Sequence, residues 1–224
     1  MKVTNRQPRL CHLIVKQMEK LDQQARQSKN VAPVSGYVAG QPPLTETMVE
    51  LDSVTKEMVG PINRRVAHEN GILHPTVHLL LFNQKDQLLL QKRGENKDSS
   101  PGKLSQSVGG HVAYRANVSL DELVAAAFAK EAQEELGIET LPDLKYFYWY
   151  PYESQGGKNR EWVRLAVAEY NGKLTPNTSE LLWVGWFDYQ SICRLAATEQ
   201  KLFAPSFLTD LELYQILSYP LFCC

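Results

Sequence analysis

Apolar residues recur at Leu10, Leu13, Ile14, Met18 and Leu21, three and four positions apart, and this spacing predicts an amphipathic helix over residues 9–28. From Asn30 to Thr47 the period stops and Pro33, Gly36, Gly40, Pro42 and Pro43 accumulate, which predicts a loop or linker. Past Val49 the pattern changes to short β-type runs at Val77–Phe82, Gln87–Arg93, Leu104–Val112, Lys145–Tyr152, Trp162–Tyr170 and Trp183–Phe187, separated by Asn, Asp and Gly turns. Helical periodicity returns at Leu120–Leu136, after Asp188 and at Ser206–Leu217. Many strands interleaved with few helices predict an α/β (α+β) domain with a mixed β-sheet flanked by helices. The expected division is residues 1–48, a helical extension with its linker, and residues 49–224, the main domain. No internal repeat is present.

Composition narrows the function. The 224 residues carry 24 basic and 25 acidic side chains, a net charge of −1, so no excess of cations exists to track an extended phosphate backbone. A hydrophobic share of 43% against 22% charged is that of a folded globular chain. The longest apolar run, Val77–Phe82, is far short of the roughly 20 residues that cross a bilayer. The first residues lack a signal-peptide pattern, and Cys11, Cys193, Cys223 and Cys224 lack metal-site or disulfide spacing, so a cytoplasmic protein with free thiols is expected. The terminal Cys223 and Cys224 do not form a prenylation ending.

The Leu120 helix carries the chemistry. Ser119 followed by Glu122 predicts a capping box, and Gly137 a left-handed stop. Between them Glu131, Glu134 and Glu135 stand at i, i+3 and i+4, which places three carboxylates on one helix face. Like charges so close raise one another's pKa unless a cation sits among them. Hard divalent cations favour carboxylate oxygens and leave positions for water and phosphate. A solvated acidic face is the competing reading. Upstream, Gly109 and Gly110 end a predicted strand, where backbone can approach phosphate and metal closely.

With these glycines and the run Lys130-Glu-Ala-Gln-Glu-Glu-Leu-Gly-Ile138, the chain resembles the Nudix hydrolase family. Glu122 is followed by seven residues and then by the remainder of that family's box. Two departures stand out: Lys130 replaces the family arginine, and 11 residues (111–121) separate Gly110 from Glu122 where the family has five. The resemblance implies Mg²⁺, or alternatively Mn²⁺, held by Glu131, Glu134 and Glu135 with the Gly110 backbone. It extends over about residues 51–217 and is similar to the branch related to isopentenyl-diphosphate isomerase. In that branch an R-x-x-x-K element contacts a diphosphate, and Arg93 and Lys97 match it. Lys92 and Lys103 are expected to add positive potential to the same rim. Glu161 and Glu180 match glutamates that the resemblance makes candidates for the base that activates water. His74 and His111 match metal-binding histidines of the isomerase, with a structural histidine the competing reading for each.

The expected activity is Mg²⁺-dependent hydrolysis of a diphosphate linkage in a nucleoside diphosphate derivative or similar small molecule. Isomerase-like chemistry is one alternative, although the cysteine it needs is replaced by Gly109; a noncatalytic nucleotide-diphosphate binder is another. No membrane or extended nucleic-acid partner is expected, and a homodimer is possible. The aromatic run Tyr146, Phe147, Tyr148, Trp149, Tyr150 and Tyr152 alternates, so its members are expected to divide between core and substrate stacking.

Overall fold

The computed structural model describes residues 7–28 and 46–218. The proline-rich linker, apart from its last two residues, and Cys223 and Cys224 lie outside these. Helix α1 (Gln7–Ser28) is followed by a hairpin of β1 (Thr47–Leu51) and β2 (Met58–Asn63), then by α2 (Arg64–Asn70). These last three are elements the sequence periodicity does not announce. The hairpin contains Gly60 and Pro61, and α2 is only seven residues long, closed by the Asn63 side chain at one end and left-handed Gly71 at the other.

The main sheet contains β3 (His74–Phe82), β4 (Gln87–Arg93), β5 (Leu104–Ser105), β6 (Val108–His111), β7 (Lys145–Glu153), β8 (Arg160–Glu169) and β9 (Leu181–Asp188). Its order is β5-β4-β3-β8-β7, with β6 added on β3 and β9 on β4. Strand β3 runs parallel to β8 over nine paired positions but meets β4 only at Phe82–Leu88, so the sheet splays open between β3 and β4. Ser107 fills the opening: its Oγ accepts from Leu81 N–H at 2.8 Å and donates to the Leu89 carbonyl at 2.7 Å. This corrects the single strand expected over Leu104–Val112. The chain breaks at Gln106 and Ser107, so that β5 pairs with β4 and β6 with β3.

Both sheet faces are covered, which is why β3 reads as a nearly continuous buried run instead of an alternating one. On one face α3 (Leu120–Leu136) packs Leu123, Phe128 and Leu136 against Leu79, Leu81 and Leu89. On the other, α1, α4 (Tyr189–Thr198) and α5 (Pro205–Ser218) pack Ile14, Ile192 and Phe207 against Leu80, Leu88 and Leu90. In α1 the inward face is Ile14 and Met18, whereas Leu13 is 61% exposed. The aromatic strand alternates as expected. Tyr148, Tyr150 and Tyr152 face the α5 side, and Trp149 faces the other, stacked on Trp162 with centroids 6.2 Å apart. No helix among the described residues is long and apolar enough to cross a membrane.

Candidate functional site

Helix α3 is fixed at both ends by its own sequence: Ser119 and Glu122 form the capping box, and Gly137 closes the helix at φ +67°. Glu122 is therefore a cap. The next three glutamates point inward to different degrees. Glu135 is buried; it accepts from the Gly109 backbone N–H at 3.2 Å and from Gln91 Nε2 at 3.3 Å. Glu131 lies over Gly110, where any Cβ would fall on its carboxyl group and push it aside. Glu134 is half-exposed. Lys130 holds Glu131 and Glu134 together, with its Nζ 2.8 Å from a carboxylate oxygen of each, so a lysine answers the repulsion expected on this face.

Burial dominates the electrostatics. It pushes Glu135 up to about 8, helped by the charge of Glu131, while the Gly109 N–H and the cations Arg93 and Lys97 pull weakly the other way. Burial also raises Glu131, against the opposing pull of Lys130. Two carboxylates that resist ionisation, beside Gln91 whose Oε1 is buried without a partner, suit a site that takes up a cation. The donors are all hard oxygens, as Mg²⁺ or Mn²⁺ requires.

The predicted diphosphate contacts lie at the end of β4. Arg93 donates from Nε and Nη2 to the backbone oxygen and Oγ of Ser99, at 2.9 and 3.0 Å, which fixes the loop that carries Lys97. Lys97 pairs with Glu180 at 2.8 Å, so these two predicted residues meet. Lys92 does not join them. Its ammonium is taken by Asp22 of α1 at 2.7 Å, which cancels the charge expected on the rim. The Lys103 backbone N–H closes a turn on Ser100.

Glu161 belongs to a second group, on the sheet face away from α3. It is buried opposite His74, accepts from Asn159 Nδ2 at 2.6 Å, and is raised by burial, with His78 and Asn159 opposing. Here His68, His74 and His111 bring one ring nitrogen each within 4.8 Å of the others, the only such three-residue set of His, Cys, Asp or Glu among the described residues. The three helical glutamates do not converge in this way. Sequence reasoning missed His68; the readable signal was the pair of caps, Asn63 and Gly71, around α2. His74 donates from Nδ1 to the Ile72 carbonyl at 2.8 Å, and its buried Nε2 has no partner. Burial holds His74 down at about 4 and His111 well below the usual imidazole value, with neighbouring cations adding to both. Neutral imidazoles with an orphan nitrogen fit a borderline divalent metal.

Between the two groups lies Gly109. A Cβ there would collide with the Gln106 amide nitrogen and stand 3.4 Å from His78 Cδ2. His78 is bound through Nδ1 to Asp210 of α5 at 2.8 Å, and Tyr150 donates to the same carboxylate. Burial disfavours the charged imidazole, but the Asp210 charge and hydrogen bond outweigh it and raise His78.

Compared with known proteins, residues 72–211 match the family described as NUDIX domain. An isopentenyl-diphosphate Delta-isomerase from Burkholderia multivorans is 27% identical over 156 residues, 69% of this chain and 85% of that protein. An uncharacterized Nudix hydrolase, YfcD, from Salmonella typhi is 26% identical over 144 residues, 64% of this chain and 73% of that protein. The crystal structure of DR0079 from Deinococcus radiodurans superposes with a TM-score of 0.58 at 21% identity, covering 75% of this chain and 98% of that one. The MutT protein from Methanosarcina mazei gives a TM-score of 0.52 at 20% identity, covering 66% and 96%. These two likenesses show the fold.

Proposed function

The chain belongs to the Nudix family, and from that premise we propose that it is a divalent-cation-dependent hydrolase of a small organic diphosphate. The observation that carries this reading is the junction of α3 and β6, where Glu135 is held by the Gly109 N–H and Glu131 covers Gly110. Glu131, Glu134, Glu135 and the Gly110 backbone are the residues that would hold Mg²⁺ or Mn²⁺. When bound, such an ion supplies charge neutralisation for the diphosphate and acidifies water.

The chain's own residues divide the remaining work. Arg93 and Lys97 bind and orient the diphosphate, and their charges already reach Glu135. Lys97 exchanges Glu180 for a phosphate oxygen, which releases Glu180 to take a proton from the attacking water. Glu161 is the other candidate base. Its place opposite His74 favours a role beside the histidines, as partner or further ligand.

A second reading, isomerase-like chemistry, is favoured by the histidine cluster and by the relatives that carry that name. Against it, Gly109 offers no thiol, and the Gln106 amide fills the space such a side chain would use. Incubation with Mg²⁺ and a panel of nucleoside diphosphate derivatives and prenyl diphosphates, with released phosphate followed, tests the hydrolase reading. Absence of any cation-dependent cleavage by the folded protein would refute it.

A further inference from the structure

The sheet face that bears Gly109 carries more polar groups than a metal site needs. Directly opposite residues on paired strands point to the same side. Thr76 is opposite His111 and Val163, and His78 is opposite Gly109 and Leu165. Thr76, His78 and the space over Gly109 therefore share one side, and Gln106 reaches into that space from the break between β5 and β6. Each is at most 5% exposed. The Thr76 Oγ1 is buried without any partner, an unfavourable state that a bound group would relieve.

The other two are held ready by their neighbours. Ser105 Oγ donates to Gln106 Oε1 at 2.6 Å, which orients the amide nitrogen over Gly109. Asp210 occupies His78 Nδ1, which leaves Nε2 to meet a ligand. Arg93, from the diphosphate end, acts electrostatically on His78 and on Glu161, so this strip adjoins the phosphate-binding rim.

We propose that Thr76, His78 and Gln106 form a hydrogen-bonding strip that reads the organic group of the substrate, and that this group is hydroxylated and not a hydrocarbon. The inference rests on the hydrolase reading for the position of the diphosphate. A site built to hydrogen-bond its ligand rejects an analogue without the matching groups by factors on the order of 10⁴, because the buried partners are left unpaired. A prenyl chain would offer nothing to the Thr76 hydroxyl, the His78 Nε2 or the Gln106 amide nitrogen, whereas a sugar-like group would match them.

Two five-carbon esters test this, ribose 5-diphosphate and isopentenyl diphosphate. Binding is measured by calorimetry with Ca²⁺ on the full chain, and phosphate release is followed in parallel with Mg²⁺. The parent is expected to bind the ribose ester at least a hundredfold more tightly. Thr76→Val and Gln106→Leu are each expected to weaken the ribose ester tenfold or more and to leave the isopentenyl ester within twofold. Thr76→Val should keep or raise the melting temperature, since it removes an orphan hydroxyl, so a loss of ribose-ester binding would not reflect misfolding. Equal binding of the two esters, binding of neither, or equal weakening of both by the variants would overturn the strip. Selective binding without cleavage of any diphosphate would sink the hydrolase reading and keep the strip; cleavage without selectivity would do the reverse.

Discussion

The backbone N–H of Gly109 points at the carboxylate of Glu135 from 3.2 Å, across the gap between α3 and β6. That hydrogen bond and a second from Gln91 Nε2 hold the deepest carboxylate of the helix, yet burial still sets that group's protonation. The protein thus keeps a proton where a cation is expected to sit.

That arrangement gives stability a pH dependence of known sign. The Glu135 pKa in the folded chain is about 8, above its ordinary value of 4.5. Between those values the folded state holds a proton that the unfolded state has lost. The contribution is complete below pH 4.5 and is lost as the pH rises through 8, with a slope of up to about 1.4 kcal/mol per pH unit for one proton. Relative to Glu135→Gln, the chelator-treated parent should lose melting temperature across this window; the lowered His74 and His111 push the other way in both proteins and cancel in the comparison. Glu135→Gln should exceed the parent at pH 8. A difference between the two proteins that stays flat from pH 5 to 8 would contradict the assignment.

The histidine cluster should bind a transition ion. Because burial keeps His74 near 4 and holds His111 well below the usual imidazole value, both are neutral ligands at pH 7, and Co²⁺ should give visible ligand-field bands at that pH. Substituting His74→Gln should abolish those bands and leave the Mg²⁺ dependence of hydrolysis in place. Co²⁺ spectra unchanged by His74→Gln would show that the ion binds elsewhere.

Lys97 and Glu180 should separate kinetically. Removing the cation with Lys97→Met should raise KM tenfold or more, since it deletes a diphosphate contact, whereas Glu180→Gln should act mainly on kcat. If Glu180→Gln leaves kcat at the parent level, Glu180 is only the loop's tether and Glu161 becomes the base to test.

Much of this site was legible because its signals are local. The Ser119 cap, the Gly137 stop and the i, i+3, i+4 glutamates all fall within one helix, and helix geometry alone puts them on one face. What was not legible depends on residues far apart in sequence. The loss of Lys92 from the rim is caused by Asp22, 70 positions away, and nothing near Lys92 encodes it. The break between β5 and β6 follows from Ser107 bridging Leu81 and Leu89, a role that an apolar pattern cannot express. His68 reaches the cluster only through the packing of its ring on His74 and His111, from a helix too short to show a period.

The amino-terminal helix offers a test of the proposed domain division. Ile14 and Met18 are buried in α1, and Asp22 binds both Lys92 and Trp183. Each buried apolar side chain is worth about 1.5–3 kcal/mol, so a chain lacking residues 1–45 should melt at a lower temperature yet still cooperatively, because the α3 face of the core is untouched. Aggregation in place of a cooperative melt would show that α1 completes the fold.

The central claim is cation-dependent diphosphate hydrolysis at the α3 glutamates. Its most direct measurement compares the parent with Glu134→Gln and Glu135→Gln in Mg²⁺, following phosphate released from organic diphosphates together with any dimethylallyl product formed from isopentenyl diphosphate. The expected result is cleavage by the parent, loss of at least about a hundredfold in both variants as expected when a ligand to a catalytic ion is removed, and no isomerised product. Efficient isomerisation by the parent, or cleavage by both variants at the parent rate, would contradict the account.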